Sequence, residues 1–132
     1  MPRSNGLKYL GPHCIVFDGT TTYVGGGGNG VYKSTDSGNN WIEKNSGLES
    51  FEVHALSISN NLIYAGTRFE GIYRSADNGD TWIKKNVGIE NVNIRAIAAT
   101  QDKIIIGTYG DGIYVSKDGG DTWTAGDVGI GN

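Results

Sequence analysis

The sequence predicts an all-β fold made of one small antiparallel unit used three times, and three observations carry that prediction. Trp41, Trp82 and Trp123 stand 41 residues apart. Apolar residues recur at every second position in short runs, and no stretch of useful length keeps the 3.6-residue period of a helix. Glycine supplies 22 of the 132 residues against only 2 prolines, while hydrophobic residues reach 37%. Gly and Pro together fall short of a disordered low-complexity composition, and no Gly-X-Y period marks a collagen. Turn-rich β structure is the natural use of this glycine.

Aligned on the tryptophans, the chain divides without a gap into Leu10 to Ser50, Phe51 to Asn91 and Val92 to Asn132. A period of this length lies in the range of propeller blades. Strand A is the alternating run His54 to Ile58, matched by His13 to Phe17 and Arg95 to Ala99. After a polar turn, strand B (Leu62 to Gly66, Ile104 to Gly107) is apolar on both faces, so it is expected to be covered on both. Strand C is Gly71 to Ser75, and strand D opens at Trp82-Ile83-Lys84-Lys85. Residues 1–9 lie ahead of the first unit, and Asn5-Gly6-Leu7 aligns with Ser46-Gly47-Leu48, Val87-Gly88-Ile89 and Val128-Gly129-Ile130, the corner after strand D. They resemble the end of a preceding blade, as in a segment of a longer array or a half-ring that meets another chain.

A propeller ring takes about four to eight blades. Each bare blade face of roughly 300 Å² would forfeit several kcal/mol and be prone to association. The expectation is a homodimer, blade one of each copy against blade three of the other, closing six blades with two-fold symmetry.

Between strands C and D stand Ser34-Thr35-Asp36-Ser37-Gly38-Asn39-Asn40-Trp41 and its equivalents Ser75 to Trp82 and Ser116 to Trp123. The shared residues are Ser34, Asp36, Gly38 and Trp41; Ser75, Asp77, Gly79 and Trp82; Ser116, Asp118, Gly120 and Trp123. Turn chemistry accounts for them: the carboxylate accepts backbone N–H groups, the glycine takes positive φ, and the indole covers the hairpin. The pattern Ser-x-Asp-x-Gly-x-x-Trp resembles the Asp-box, or bacterial neuraminidase repeat, and the resemblance spans the chain. Units ending in Trp-Asp, or with a Gly doublet after every strand B, would point to other propeller families; neither is present. No calcium loop is expected, because ligands at alternate positions and a closing Glu are missing. Gly25-Gly26-Gly27-Gly28-Asn29-Gly30 matches a dinucleotide fingerprint, but strand C follows it instead of the helix that fingerprint requires. Neither a metal nor a cofactor is therefore expected.

A formal charge of -3, from 11 basic and 14 acidic residues without a basic cluster, argues against nucleic acid as a partner. Cys14 is the only cysteine, and its apolar neighbours favour a buried thiol over a reactive one. No apolar run approaches a membrane span, and Met1 to Gly6 has no signal-peptide apolar region. The expectation is a soluble chain of unknown compartment, although the Asp-box family is often extracytoplasmic.

If the turns serve folding, function belongs to the opposite face, where the B to C corners differ between units. These are Gly26 to Asn29, Thr67-Arg68-Phe69-Glu70 and Thr108-Tyr109-Gly110-Asp111. Asn29, Arg68, Phe69, Glu70, Tyr109 and Asp111 are thus candidate binding residues, a mixture suited to sugar or peptide. His13, His54 and Arg95 open strand A in the three units and are expected near the ring axis, either as polar residues tolerated beside a wet channel or as a ring able to take anions or metal. The resemblance implies relatives among sialidases, other glycoside hydrolases, photosystem II assembly factors and sortilin-type receptors. A sialidase site needs three clustered arginines, a Tyr–Glu nucleophile and an Asp acid; with only Arg3, Arg68, Arg74 and Arg95 and no Arg-Ile-Pro motif, that set is not carried over. The reading is a non-catalytic scaffold, assembled from partial rings, that binds protein or carbohydrate. The alternatives are a glycoside hydrolase fragment using Glu70 and Asp111, and an engineered or ancestral-type segment whose property is self-assembly.

Overall fold

The computed structural model describes residues 11–89 and 92–126. The first sheet takes β1 (Pro12–Asp18), β2 (Thr21–Gly26), β3 (Gly30–Ser34) and β4 (Ile42–Glu43); the second takes β5 (Val53–Ser59), β6 (Leu62–Thr67), β7 (Ile72–Ser75) and β8 (Ile83–Lys84). The third takes β9 (Ile94–Ala99), β10 (Ile104–Thr108), β11 (Ile113–Ser116) and β12 (Thr124–Ala125). Each is a four-stranded antiparallel meander in chain order, and strand is the only regular structure among the described residues. Among the described residues no helix is long and apolar enough to cross a membrane.

Strands A to C fall within a residue or two of the sequence expectation. Strand D does not open at Trp82: pairing starts at Ile83, and the indole ahead of it turns toward the neighbouring sheet. The A to B hairpin of the second sheet shows why the register is firm. Asn60 and Asn61 both take positive φ, 53° and 64°, the two-residue turn whose twist suits a hairpin. It joins Ser59 directly to Leu62, which sets Leu56 opposite Ala65.

The three sheets sit side by side with β5 between β1 and β9, so the first strands surround a common axis. One core, containing Val31, Leu56, Ile63, Tyr73 and Trp82, fills the seam between sheets one and two; another, containing Ile72, Ile94, Ile104, Ile106 and Trp123, fills the next. Trp82 Nε1 donates to Lys44 O and Trp123 Nε1 to Lys85 O, each at 2.8 Å. Each of these indoles thus ties its sheet to the end of strand D in the preceding sheet. Gly47 and Gly88, at φ 98° and 99°, lie against the backbone oxygens of Trp82 and Trp123, where a side chain would collide. The corners expected at Asn5-Gly6-Leu7 and Val128-Gly129-Ile130 lie outside the described residues.

Candidate functional site

The Ser, Asp and Gly that recur in the C to D turns form a closed hydrogen-bond net in each turn. Ser75 Oγ donates to Asp77 Oδ1 and accepts the Gly79 amide, both at 2.8 Å, while Asp77 receives the Thr81 amide at 2.8 Å and the Thr81 hydroxyl at 2.6 Å. Ser116, Asp118, Gly120 and Thr122 repeat this net. In the first turn Ser34, Asp36 and Gly38 do the same, with the Asn40 amide groups in place of the threonine. The side-chain donor of residue 122 and its amide hold the Asp118 carboxyl down at about 2; Asp36 and Asp77 are lowered likewise by Asn40 and Thr81. These carboxylates are engaged in shaping the turn, and among the described residues no three His, Cys, Asp or Glu side chains gather to hold a metal ion.

At the other end a backbone irregularity builds the site. Pairing of the A and B strands skips one residue per sheet: between Pro12 and Cys14, between Val53 and Ala55, and between Ile94 and Ala96. The skipped residues are His13, His54 and Arg95. A bulge re-aims its extra side chain, here in all three sheets at once. The three converge on a cavity of about 260 Å³, and the imidazoles of His13 and His54 meet edge to face with centroids 5.0 Å apart. His54 Nε2 donates to Glu52 Oε2 at 3.1 Å, and Arg68 reaches the same oxygen at 3.3 Å. These two contacts, His54 first, hold the Glu52 carboxyl below its ordinary range.

Two B to C corners adjoin the side chains that line this cavity, Arg68 sharing Glu52 with His54 and Tyr109 lying under Arg95. Arg68 N bonds Glu52 O and Tyr109 N bonds Asn93 O, so the corners are tied to the segments entering strand A. Arg68 lies 4.9 Å over the Phe69 ring and Arg95 5.0 Å over Tyr109, while the two aromatic rings remain 61% and 69% exposed. The backbone beneath is braced. Thr67 Oγ1 bonds Gly71 O at 2.8 Å and accepts the Glu70 amide, and Thr108 does the same for Gly112 and Asp111. In the first sheet the carbonyl of Asn29 accepts Asn45 Nδ2 at 2.9 Å, as that of Glu70 accepts Asn86 Nδ2 at 2.8 Å.

The structure thus gathers His13, His54 and Arg95 about one opening, with Arg68 linked to His54 through Glu52, Phe69 beside Arg68 and Tyr109 beside Arg95. Glu70 behaves differently: its carboxylate takes Lys84 at 2.7 Å, on the outermost strand of the sheet, and so is directed to the rim. The Lys84 ammonium is raised by its bonds to Glu49 and then Glu70. Asp111 is placed by the bond from its own amide to Thr108 Oγ1. Sequence reasoning missed Glu52, whose equivalents Gly11 and Asn93 carry no charge, so repetition gave no signal. It also missed Asn45 and Asn86, which brace the B to C corners; their 41-residue spacing was the available clue. Cys14 is half-buried with its thiol 3.8 Å from Gly25 O, and burial pushes that thiol up to about 11.

No protein-family model matches the chain, and no curated protein matches it. Solved structures do. An ancestral GH74 enzyme superposes with a TM-score of 0.73 at 23% identity, over 92% of this chain and 18% of that one. YCF48 bound to D1 peptide gives 0.64 at 18% identity, over 92% and 44%. The computationally designed Ika4 protein gives 0.63 at 14% identity, over 80% and 65%. The chain spans about a fifth of the length of the GH74 structures that it matches. These neighbours are β-propeller proteins, and the three sheets have the fold of propeller blades.

Proposed function

We propose that this chain is a non-catalytic propeller segment of the Asp-box type, part of a larger ring, which binds a protein or carbohydrate ligand at the axial opening between its B to C corners. The observation that supports this reading above the others is the threefold bulge. Each sheet departs from regular pairing at the same place, which supports a polar cavity lined by His13, His54 and Arg95, with exposed Tyr109 under Arg95 and exposed Phe69 under the nearby Arg68. Tyr and Arg are enriched among the residues that carry binding energy at protein recognition sites, so a peptide segment is the favoured ligand. That YCF48 was solved with a peptide accords with this choice.

The glycosidase alternative draws on the likeness to a GH74 enzyme. Against it, the Glu70 carboxylate is held by Lys84 away from the opening. Labelled protein on peptide and glycan arrays separates the readings. Peptide hits lost on Phe69→Ala with Tyr109→Ala are the expected result. Hits that survive both substitutions, or none on either array, would overturn the proposal. Turnover of aryl glycosides abolished by Glu70→Gln would replace it with the enzymatic reading.

A further inference from the structure

The two internal seams of the molecule are built to one pattern. At the first, the Tyr23 hydroxyl and Lys33 ammonium donate to Asn78 O at 3.2 and 3.3 Å, and Lys44 meets the Asp80 carboxylate at 2.9 Å. At the second, Tyr64 and Arg74 donate to Gly119 O at 3.1 and 2.9 Å, and Arg74 and Lys85 meet Asp121 at 3.3 and 3.1 Å. One repeat further on, the donor positions are Ile105, Val115 and Gly126. On the receiving side, the first turn holds Asn39 where the other two hold Asp80 and Asp121. Both halves of the ionic pattern are missing together, one from the outer face of the third sheet and the other from the outer turn of the first.

Loss on one side alone would leave a charge facing a position without its partner, a modest cost because the equivalent carboxylates Asp80 and Asp121 stay 60% and 56% exposed at their seams. Joint loss leaves faces that can be buried against each other. Their relief is complementary as well. Ile15 and Phe17 stand 55% and 70% exposed on the first sheet, whereas Leu56, the equivalent of Ile15, is covered by its neighbour to 6%. On the third sheet strand A exposes two small residues, Ala96 and Ala98, besides Arg95, which lines the axial cavity.

We propose that the outer face of the third sheet of one copy packs on the outer face of the first sheet of a second copy, at both ends, to close a ring of six blades. Such an interface joins different surfaces of the two copies and closes through a two-fold axis. The absence of charge at residues 39, 115 and 126 then acts as an address: it directs these faces to each other and away from the charged faces of the internal seams. The proposal rests on the ring reading above but not on any ligand.

Light scattering across a dilution series should give twice the chain mass of 14.1 kDa. A mass of one chain, or of three, would overturn the closed pair. The address is tested by substitution. Asn39→Asp restores what the other two turns carry, and Val115→Arg restores what Arg74 supplies, so each is compatible with the blade. Alone, each should weaken pairing by about two- to fivefold, the scale of an exposed ion-pair partner left unmatched; together they should recover most of it. Single variants that pair as tightly as the parent would show that another surface makes the contact. A ligand-binding failure leaves the mass unchanged, and a single-chain mass leaves array hits interpretable, so the two readings fail separately.

Discussion

The turn end and the corner end of the blades solve the same problem, closing a loop between paired strands, by opposite means. At the turn end three loops share Ser, Asp, Gly and Trp and nearly the same hydrogen bonds, although they lie in different sheets. At the corner end no side chain is common to residues 26–29, 67–70 and 108–111. What is shared there is backbone: a bulge in every sheet and a main-chain bond back to the segment before strand A. A loop held by its own side chains fixes its sequence. One held by main-chain bonds, with Thr67 and Thr108 bracing two of the three corners, leaves the side chains at its tip free for another purpose.

The comparison predicts that stability is concentrated at the turn end. The largest effect is expected from Trp82→Ala. The ring is 4% exposed and its N–H bonds Lys44 O across the seam, so truncation removes both a core side chain and a tie between blades. The cost should be about 3–5 kcal/mol by denaturant unfolding, in line with other buried aromatic truncations. Ser75→Ala comes next. Ser75 is 1% exposed and accepts the Gly79 amide, and without it a buried N–H is left unmet, at about 1–3 kcal/mol. A loss below half a kcal/mol in both would refute the assignment of these residues to folding.

A smaller effect is confined to acid. The Asp118 carboxyl lies at about 2 in the folded chain against an ordinary value of 3.8, so the unfolded chain takes up its proton more readily. Its stabilisation is complete above about pH 4 and is lost as the pH falls through about 2. Asp118→Asn should therefore melt lower than the parent at pH 6, and the gap should narrow between pH 4 and 2. A gap independent of pH would mean that the carboxylate charge is not what the turn uses.

How much of this was legible in the sequence follows the same division. The turn end was readable because Ser34, Asp36, Gly38 and Trp41 must recur for each blade to fold, and recurrence is visible within one chain. Strands A to C were readable for a related reason: alternation in runs such as His54 to Ile58 reports a face that must be buried. The bulges were not readable, because they are a mismatch in count between two strands and leave no mark on either strand alone. Glu52 escaped for want of an equivalent, and the orientation of Glu70 depends on Lys84, 14 residues away on another strand. The reach of Trp82 into the preceding sheet was hidden as well, since its repetition speaks equally for a contact inside the blade or between blades.

The smallest effect is expected where the sequence varies most. Phe69 and Tyr109 project from corners whose backbone is held by Thr67 and Thr108, and their rings touch the chain chiefly through Arg68 and Arg95. Removing either ring takes away a contact worth roughly 0.5–1 kcal/mol at an exposed site, but it also withdraws apolar surface from water in the folded and unfolded chain alike. Phe69→Ala and Tyr109→Ala should therefore shift unfolding by no more than about 1 kcal/mol. A loss matching that of Ser75→Ala would mean that the rings hold the corners in place, and the corner end would then obey the same rule as the turn end. Stability preserved while array binding is lost would leave the rings with recognition as their one measurable role.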